Sequence, residues 1–487
     1  MKIMRYNPIS KNWACSLRAP TLAVSLLLLI TGCSTHRPWM NQPLIEAQAL
    51  SVSPSTAYGQ EVRPLVMDYA GWENQSIVMA VTLSGGGARA AAFGLGVLKG
   101  LDETHFEWDG QQTTLLAQVS LVAGVSGGSI LATHLAAFGR ETLRRFEPEF
   151  LNVNIENSLL IRLLNPDLLY RLSSPWYGRT QILAERLDKL YEGKKFGDLR
   201  RRPGYPDLLV TATDLTTGAA FEFTPEQFDL ICSDLSGVPL SFAVASSSAV
   251  PLLLTPTALT NYAERCRTTH SSTVAKALPG VGTTPQTDNY RVRMLKATEQ
   301  SYRDGLERPF IHLVDGGLTD NLGLRAQLDR LVVGGTLDES FRYAPTGSIR
   351  HLVLVAVNSE RDLAERIDQT DRVPDTFQVV NSLLFGAGSR DTKTTLAMLK
   401  DDIQRWQSDL LRLRGQEGSP FAKDAQAHVI SISFQDVPDQ KLRSQVVHVP
   451  TAFTISKDAV ENLQAAGRAA LLASPDFQDL SRALKSR

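Results

Sequence analysis

Leu116-Ala117-Gln118-Val119-Ser120-Leu121-Val122-Ala123 leads directly into Gly124-Val125-Ser126-Gly127-Gly128, and a helix-like run, Ser129 to Phe138, leads out. The apolar run predicts a buried strand and the second run a helix. A G-x-S-x-G pentapeptide between them puts a serine on a sharp strand-to-helix turn. Gly124 and Gly128 relieve crowding there, and the Ser126 hydroxyl is pushed into open space. The helix behind it offers free N–H groups and a positive dipole end to negative charge developing beside Ser126. The pentapeptide alone is common by chance; its strand–turn–helix setting gives it weight.

The same texture extends on both sides. Ile77 to Leu83 is an apolar run ending in Ser84-Gly85-Gly86-Gly87-Ala88-Arg89, followed by a small-residue helix, Ala88 to Leu101. Leu208 to Ala212 is a further strand, and Phe221 and Phe223 alternate with polar residues like a half-buried one. Phe310 to Val314 runs into Asp315-Gly316-Gly317, and Leu352 to Val357 is apolar enough for a strand buried on both faces. Strands alternating with helices predict a three-layer α/β fold: a mainly parallel central sheet with helices on both faces. In such sheets ligands bind beyond the carboxyl ends of strands, so the three glycine-rich elements are expected to face one crevice.

Taken together, these elements resemble the patatin-like phospholipase family. That family carries a glycine-rich oxyanion loop with a following arginine, a G-x-S-x-G elbow and an Asp-Gly-Gly/Ala turn, in the order found here. Ala212-Thr213-Asp214-Leu215-Thr216-Thr217-Gly218, Ala245-Ser246-Ser247-Ser248-Ala249-Val250-Pro251 and Asp315-Gly316-Gly317-Leu318-Thr319-Asp320-Asn321 also resemble family stretches. Ala90 departs from the pattern, where the family usually has glycine. The resemblance runs from about Ile77 to Val357. It implies Ser126 as nucleophile, Asp315 as its partner, and an oxyanion hole at Gly85, Gly86 and Gly87 with Arg89 beside it. It also implies no catalytic histidine and no cofactor, and cleavage of lipid esters of phospholipase A or lysophospholipase type.

A serine–aspartate dyad sets a physical requirement. A serine hydroxyl is a weak nucleophile until a base takes its proton, and a carboxylate with a pKa near ~3.9 in water is a poor base. Desolvation has to raise it. Successive glycine N–H groups turned to one point have to supply an anion nest. The competing arrangement is a triad with one of eight histidines. His134 lies two helical turns past Ser126 and is expected to point away; His312, on the strand before Asp315, is within range.

The beginning of the chain reads as an address. Lys2, Arg5, Lys11 and Arg18 form a basic stretch and Thr21 to Ile30 an apolar one, shorter than the ~20 residues of a spanning helix and suited to a signal. Leu29-Ile30-Thr31-Gly32-Cys33 resembles the bacterial lipobox. That implies a signal peptide over 1–32, lipid on Cys33, and a membrane tether over 33–75. Ser34 after the cysteine favours the outer membrane, by resemblance to enterobacterial lipoproteins. Cys232 and Cys266, 34 residues apart, are then expected to pair in an oxidising compartment. Loss of residues 1–32 leaves a net charge near −5, which argues against a nucleic-acid partner.

The remaining organisation is a catalytic core over 76–360, with a polar insertion or lid at 265–308. Residues 361–487 are a helical excursion, helical in texture over 361–427, followed by completion of the core. Leu396, Leu399, Ile403, Trp406, Leu410 and Leu413 step by 3 and 4 along one helix face. That stripe packs on the body or faces a partner or membrane. No zinc-like Cys/His spacing or calcium-loop acidic ladder is present. Two other functions compete. Gly85-x-Gly87-x-x-Ala90 matches a dinucleotide fingerprint, but no acid ends the second strand where the ribose would need one. A non-catalytic, lipid-anchored envelope scaffold is the other; retention of serine, aspartate, arginine and glycines together argues against it.

Overall fold

Uncharged, β-branched runs form the centre of the molecule, as their burial on both faces demands. The computed structural model describes residues 34–44, 76–154, 165–199, 204–270, 290–325, 344–360 and 371–485, with Leu328, Leu337 and Phe341. Its strands are β1 (Ile77–Leu83), β2 (His105–Trp108), β3 (Gln111–Thr114), β4 (Val119–Val125) and β5 (Asp207–Asp214). They continue as β6 (Ala220–Glu222), β7 (Thr257–Thr260), β8 (Phe310–Val314), β9 (Ile349–Asn358) and β10 (Phe421–Ser433). The helices are α1 (Gly87–Glu103), α2 (Gly127–Phe138), α3 (Thr142–Phe146), α4 (Pro166–Leu172), α5 (Arg179–Leu190), α6 (Pro225–Leu230) and α7 (Leu240–Ser247). Then come α8 (Ala263–His270), α9 (Tyr290–Tyr302), α10 (Thr376–Leu413), α11 (Gln440–Val447), α12 (Lys457–Ala473) and α13 (Pro475–Lys485).

The main sheet has the order β10-β9-β1-β4-β5-β8-β7, with β6 paired to β5. From β10 to β5 every neighbour is parallel. Beyond β5 the sheet reverses: β6 and β8 run antiparallel to β5, and β7 antiparallel to β8. The mainly parallel expectation therefore holds for the five consecutive strands from β10 to β5. Asp315 reaches the rim on a strand coming back toward it, unlike the other two glycine-rich elements.

Helices cover both faces. On one, Val81, Val122, Val210, Val355 and Ile430 pack with Phe93 of α1, Leu131 of α2 and Leu463 of α12. On the other, Ala356, Leu354 and Val429 meet Leu322, Leu324 and Leu399 of α10, while Leu410 and Leu413 close on Val78 and Phe421. The Leu396–Leu413 stripe thus lies on the sheet, where its apolar face is removed from water.

Several boundaries differ from expectation. The helical texture assigned to 361–427 ends at Leu413, and Phe421 already begins β10. Polar Lys423 and Asp424 hide this start, because β10 is an edge strand whose outward positions face solvent. Asp109-Gly110, both at positive φ (47° and 76°), turn the β2–β3 hairpin. The 265–308 stretch is no simple surface excursion. Residues 271–289 lie outside the described residues, but α9 ends in Tyr302, fully buried. Tyr302 donates to Asp214 Oδ2 at 3.0 Å, and Arg308 pairs with the same carboxylate. Residues 34–44 lie against the body: Asn41 is buried and bonded to Ser233 and Thr260. Cys232 and Cys266 are joined in a disulfide with Cα atoms 5.9 Å apart. The signal segment, Cys33 and 45–75 lie outside the described residues.

Candidate active site

β4 ends at Val125, and Ser126 sits at the start of α2 with φ 49° and ψ −123°. A non-glycine residue at positive φ is strained, and such strain gathers at functional sites. A short hydrogen-bond relay holds it there. The Ser126 N–H donates to Ser247 Oγ at 2.8 Å, and Ser247 Oγ donates to the Thr211 carbonyl at 2.6 Å. Gly124 and Gly128 let the elbow lie against backbone: added Cβ atoms would come within 2.5 Å of Ser129 Cα and 2.2 Å of the Leu83 carbonyl oxygen. At Gly127 a Cβ would meet the Gly87 carbonyl oxygen at 2.1 Å, so elbow and glycine loop touch main chain to main chain.

Asp315 follows β8. Its N–H donates to the Ala249 carbonyl at 3.0 Å, and its own carbonyl accepts from Thr213 Oγ1 at 2.8 Å. The carboxylate accepts from Ser126 Oγ at 2.8 Å on Oδ2 and from the Gly317 N–H at 2.8 Å on Oδ1. Ser126 and Asp315 are each only 7% exposed. Burial pushes the Asp315 carboxyl up to about 6; the bonds from Ser126 and Gly317 pull the other way and hold it there. A carboxylate so placed is a stronger base than one in water and stays largely ionised at neutral pH.

The glycine loop needs a correction. Gly85 N–H already donates to the Asn321 carbonyl at 3.1 Å, so it has no proton to offer an oxyanion. Among the described residues Gly86 N–H and Gly87 N–H make no such bond, and both glycines have positive φ, 138° and 63°. These two amides are the remaining cradle. Arg89 is 3% exposed and donates from Nη1 to the Val449 carbonyl at 3.1 Å. Its guanidinium lies beside Gly86 and braces the loop rather than joining its amides. Ser359 Oγ, donating to the Gly85 carbonyl, and Ala88 N–H, donating to the Ala452 carbonyl, fix the loop from two further sides.

Neither histidine candidate meets the Ser126–Asp315 pair. His312 is exposed on β8, and the bonds to the Asp315 side chain come from Ser126 and Gly317. His134 is fully buried, bonded to Thr142 Oγ1 at 2.9 Å and packed against Phe138 and Phe146. Burial lowers its pKa to about 4, against the pull of Glu149, so the ring is neutral. Asp320 caps its own turn, accepting from Arg325 N–H at 2.7 Å. Among the described residues no three His, Cys, Asp or Glu side chains gather as a metal site would need.

Sequence reading assigned no role to Ser247, Asn321 or Ala249. A signal existed for the first: Ser246, Ser247 and Ser248 form an unbroken hydroxyl run in an otherwise apolar segment, and all three are fully buried. Buried hydroxyls need partners, and Ser247 finds the Ser126 amide.

The patatin-like phospholipase family model matches residues 81–327, about half the chain, a span that holds the Gly85–Gly87 loop, Ser126 and Asp315. Comparison with curated proteins finds no match. Among solved structures, human GIVD cytosolic phospholipase A2 is similar at 12% identity and TM-score 0.40, covering 87% of this chain and 65% of that one. Its complex with methyl gamma-linolenyl fluorophosphonate gives 14%, 0.37, 87% and 62%. VipD from Legionella pneumophila gives 13% identity, TM-score 0.28, and coverage of 81% and 67%. The chain thus spans less than two thirds of the length of the human phospholipase chains, and at these scores the superpositions add nothing to the placement of residues. From its matched segment, the chain belongs to the patatin-like phospholipase family.

Proposed function

We propose that this protein is a lipid acyl hydrolase that cleaves carboxylic esters through Ser126 and Asp315. The observation that carries the reading is the 2.8 Å bond from Ser126 Oγ to a buried carboxylate with a raised pKa. Asp315 takes the hydroxyl proton as Ser126 attacks the acyl carbonyl carbon. Negative charge on the carbonyl oxygen falls to the Gly86 and Gly87 amides and the start of α2. Collapse breaks the ester C–O bond, and the proton held by Asp315 passes to the leaving alkoxide. Water then attacks the acyl-enzyme, gives its proton to Asp315, and the fatty acid leaves as Ser126 regains a proton.

The proposed setting is the cell envelope. Residues 1–32 act as a lipoprotein signal and Cys33 carries lipid, facing the periplasm from the outer membrane. Anchoring keeps the site near a bilayer substrate and raises effective concentration without new contacts. The lipobox-like Leu29–Cys33 stretch supports this setting.

The test uses the full chain, wild type and Ser126→Ala, incubated with an extracted envelope lipid mixture and analysed by mass spectrometry. Free fatty acid and the matching deacylated lipid should form with wild type alone. A fluorophosphonate probe should label wild type and not the variant. No product and no labelling with wild type would refute hydrolysis and leave the envelope scaffold.

A further inference from the structure

Five large apolar side chains stand exposed in one neighbourhood near the site. Leu169 and Tyr170 on α4 are 53% and 54% exposed, and Trp176, just beyond α4, 44%. Leu252 and Leu253 are 61% and 54% exposed on the turn between α7 and β7. These pieces are physically joined. Arg179, at the start of α5, donates from Nη2 to the Leu252 carbonyl at 2.6 Å, and Thr180 N–H donates to Thr255 Oγ1 at 3.4 Å. The turn also adjoins the site: Ala249, three residues before Leu252, accepts the Asp315 N–H. Leu252 has φ 71°. A leucine held in the left-handed region, with its side chain in water, gains neither backbone comfort nor burial from the fold.

The chain emerging from Cys33 lands on this neighbourhood. Ser34 N–H donates to Ser173 Oγ at 3.2 Å, and Ser174 Oγ donates to the His36 carbonyl at 2.6 Å. Arg37 lies over the Trp176 ring, 3.9 Å from its centroid. Ser34, the residue that follows Cys33 in the sequence, is thereby held at the end of α4. Charge fits as well. Arg37 and Arg179 are exposed and form no salt bridge among the described residues, whereas Asp167 and Glu185 nearby are both paired with Arg171.

We infer that this face docks on a phospholipid bilayer that carries anionic headgroups, with Leu252, Leu253, Trp176, Tyr170 and Leu169 entering its interface. The inference rests on the lipid-anchored, lipid-cleaving reading above. Leucines enter the acyl boundary, and Trp and Tyr sit at headgroup level with apolar body inward and polar tip outward. Arg37 and Arg179 meet headgroup phosphates. The acyl chains on Cys33 insert beside the same patch, so anchor and patch together fix the orientation of the body. The mouth of the site then faces the bilayer.

The experiment uses the full chain in the Ser126→Ala background, so that no lipid is consumed. An environment-sensitive fluorophore is attached to Leu253→Cys or, as control, to Gln112→Cys on the hairpin at the far end of α1. Vesicles of phosphatidylethanolamine with a minor share of phosphatidylglycerol are added, with and without brominated acyl chains. The label at 253 should shift to the blue and be quenched by bromine; the label at 112 should do neither. With Ser126 intact, Leu252→Asn with Leu253→Ser should hydrolyse vesicle lipid roughly tenfold more slowly, with unchanged turnover of a soluble short-chain ester. The inference is overturned by equal responses at 253 and 112, by none at 253, or by equal loss on both substrates. A blue shift without vesicles that grows with protein concentration would also overturn it, assigning the face to a second copy of the chain. If wild type cleaves neither substrate while the label at 253 still responds, docking stands and the hydrolase reading fails.

Discussion

Replacing Asp315 with asparagine should slow turnover severely and stabilise the protein, in a pH window set by the carboxyl itself. The native state holds the Asp315 proton up to about pH 6, whereas the ordinary value, 3.8, governs the unfolded chain. Between those values the native state binds more protons, so wild-type stability from this group falls as pH rises. The full effect, reached above about pH 6, amounts to ~3 kcal/mol. Asparagine has nearly the same shape, keeps an acceptor for the Gly317 N–H and does not titrate. In a chain of this length ~3 kcal/mol corresponds to roughly 3 °C in Tm. Scanning calorimetry of both proteins at about pH 4 and about pH 7.5 should show little difference at the lower pH and the more stable variant at the higher. Over the same range wild-type kcat/KM should rise with pH through a limb near 6, and the variant should lose ~10²–10⁴-fold in rate. A stability gap that is equal at both pH values, or that favours wild type at the higher one, would refute the claim that burial strains this carboxylate.

Three further outcomes follow from the neighbours of the dyad. Ser247→Ala removes the acceptor of the Ser126 amide and should cost ~1–2 kcal/mol in urea unfolding, with slower acylation read by fluorophosphonate labelling rate. Gly127→Ala forces a methyl group onto the Gly87 backbone and should displace the amide cradle, lowering kcat by ~10² or more while circular dichroism keeps its native shape. Arg308→Met leaves the fully buried Asp214 carboxylate without its cation and should destabilise by ~3–5 kcal/mol. Adding Asp214→Asn should recover part of that loss in the same denaturation assay.

The central strands were legible because runs such as Leu352 to Val357 have no soluble alternative to burial. The elbow was legible because its glycines are forced by backbone contact. The start of β10 was not legible, since an edge strand with Lys423 and Asp424 turned outward lacks the pattern of a buried one. The reversal of β8 was hidden because strand direction is decided by pairing partners distant in sequence, and Phe310 to Val314 reads alike either way. The pairing of Ser126 with Asp315 could be expected from motifs, but the state of Gly85 could not. Whether an amide points at a ligand or is taken by Asn321 is settled by a contact across the fold. The hairpin at Asp109-Gly110 was legible in principle, from a dipeptide known for such turns.

β4 and β8, which deliver hydroxyl and carboxylate, are not neighbours; β5 lies between them, and β5 and β8 share only the register pairs Thr213–Val314 and Asp214–Leu313. The Ser126 hydroxyl and the Asp315 carboxylate therefore face each other across the shortest seam of the sheet, reinforced by Thr213 Oγ1 on the Asp315 carbonyl and by Arg308 on Asp214. A small parting along that seam separates donor from acceptor while the five parallel strands remain intact. On heating, the chemistry should accordingly fade at a temperature below the one at which the body melts.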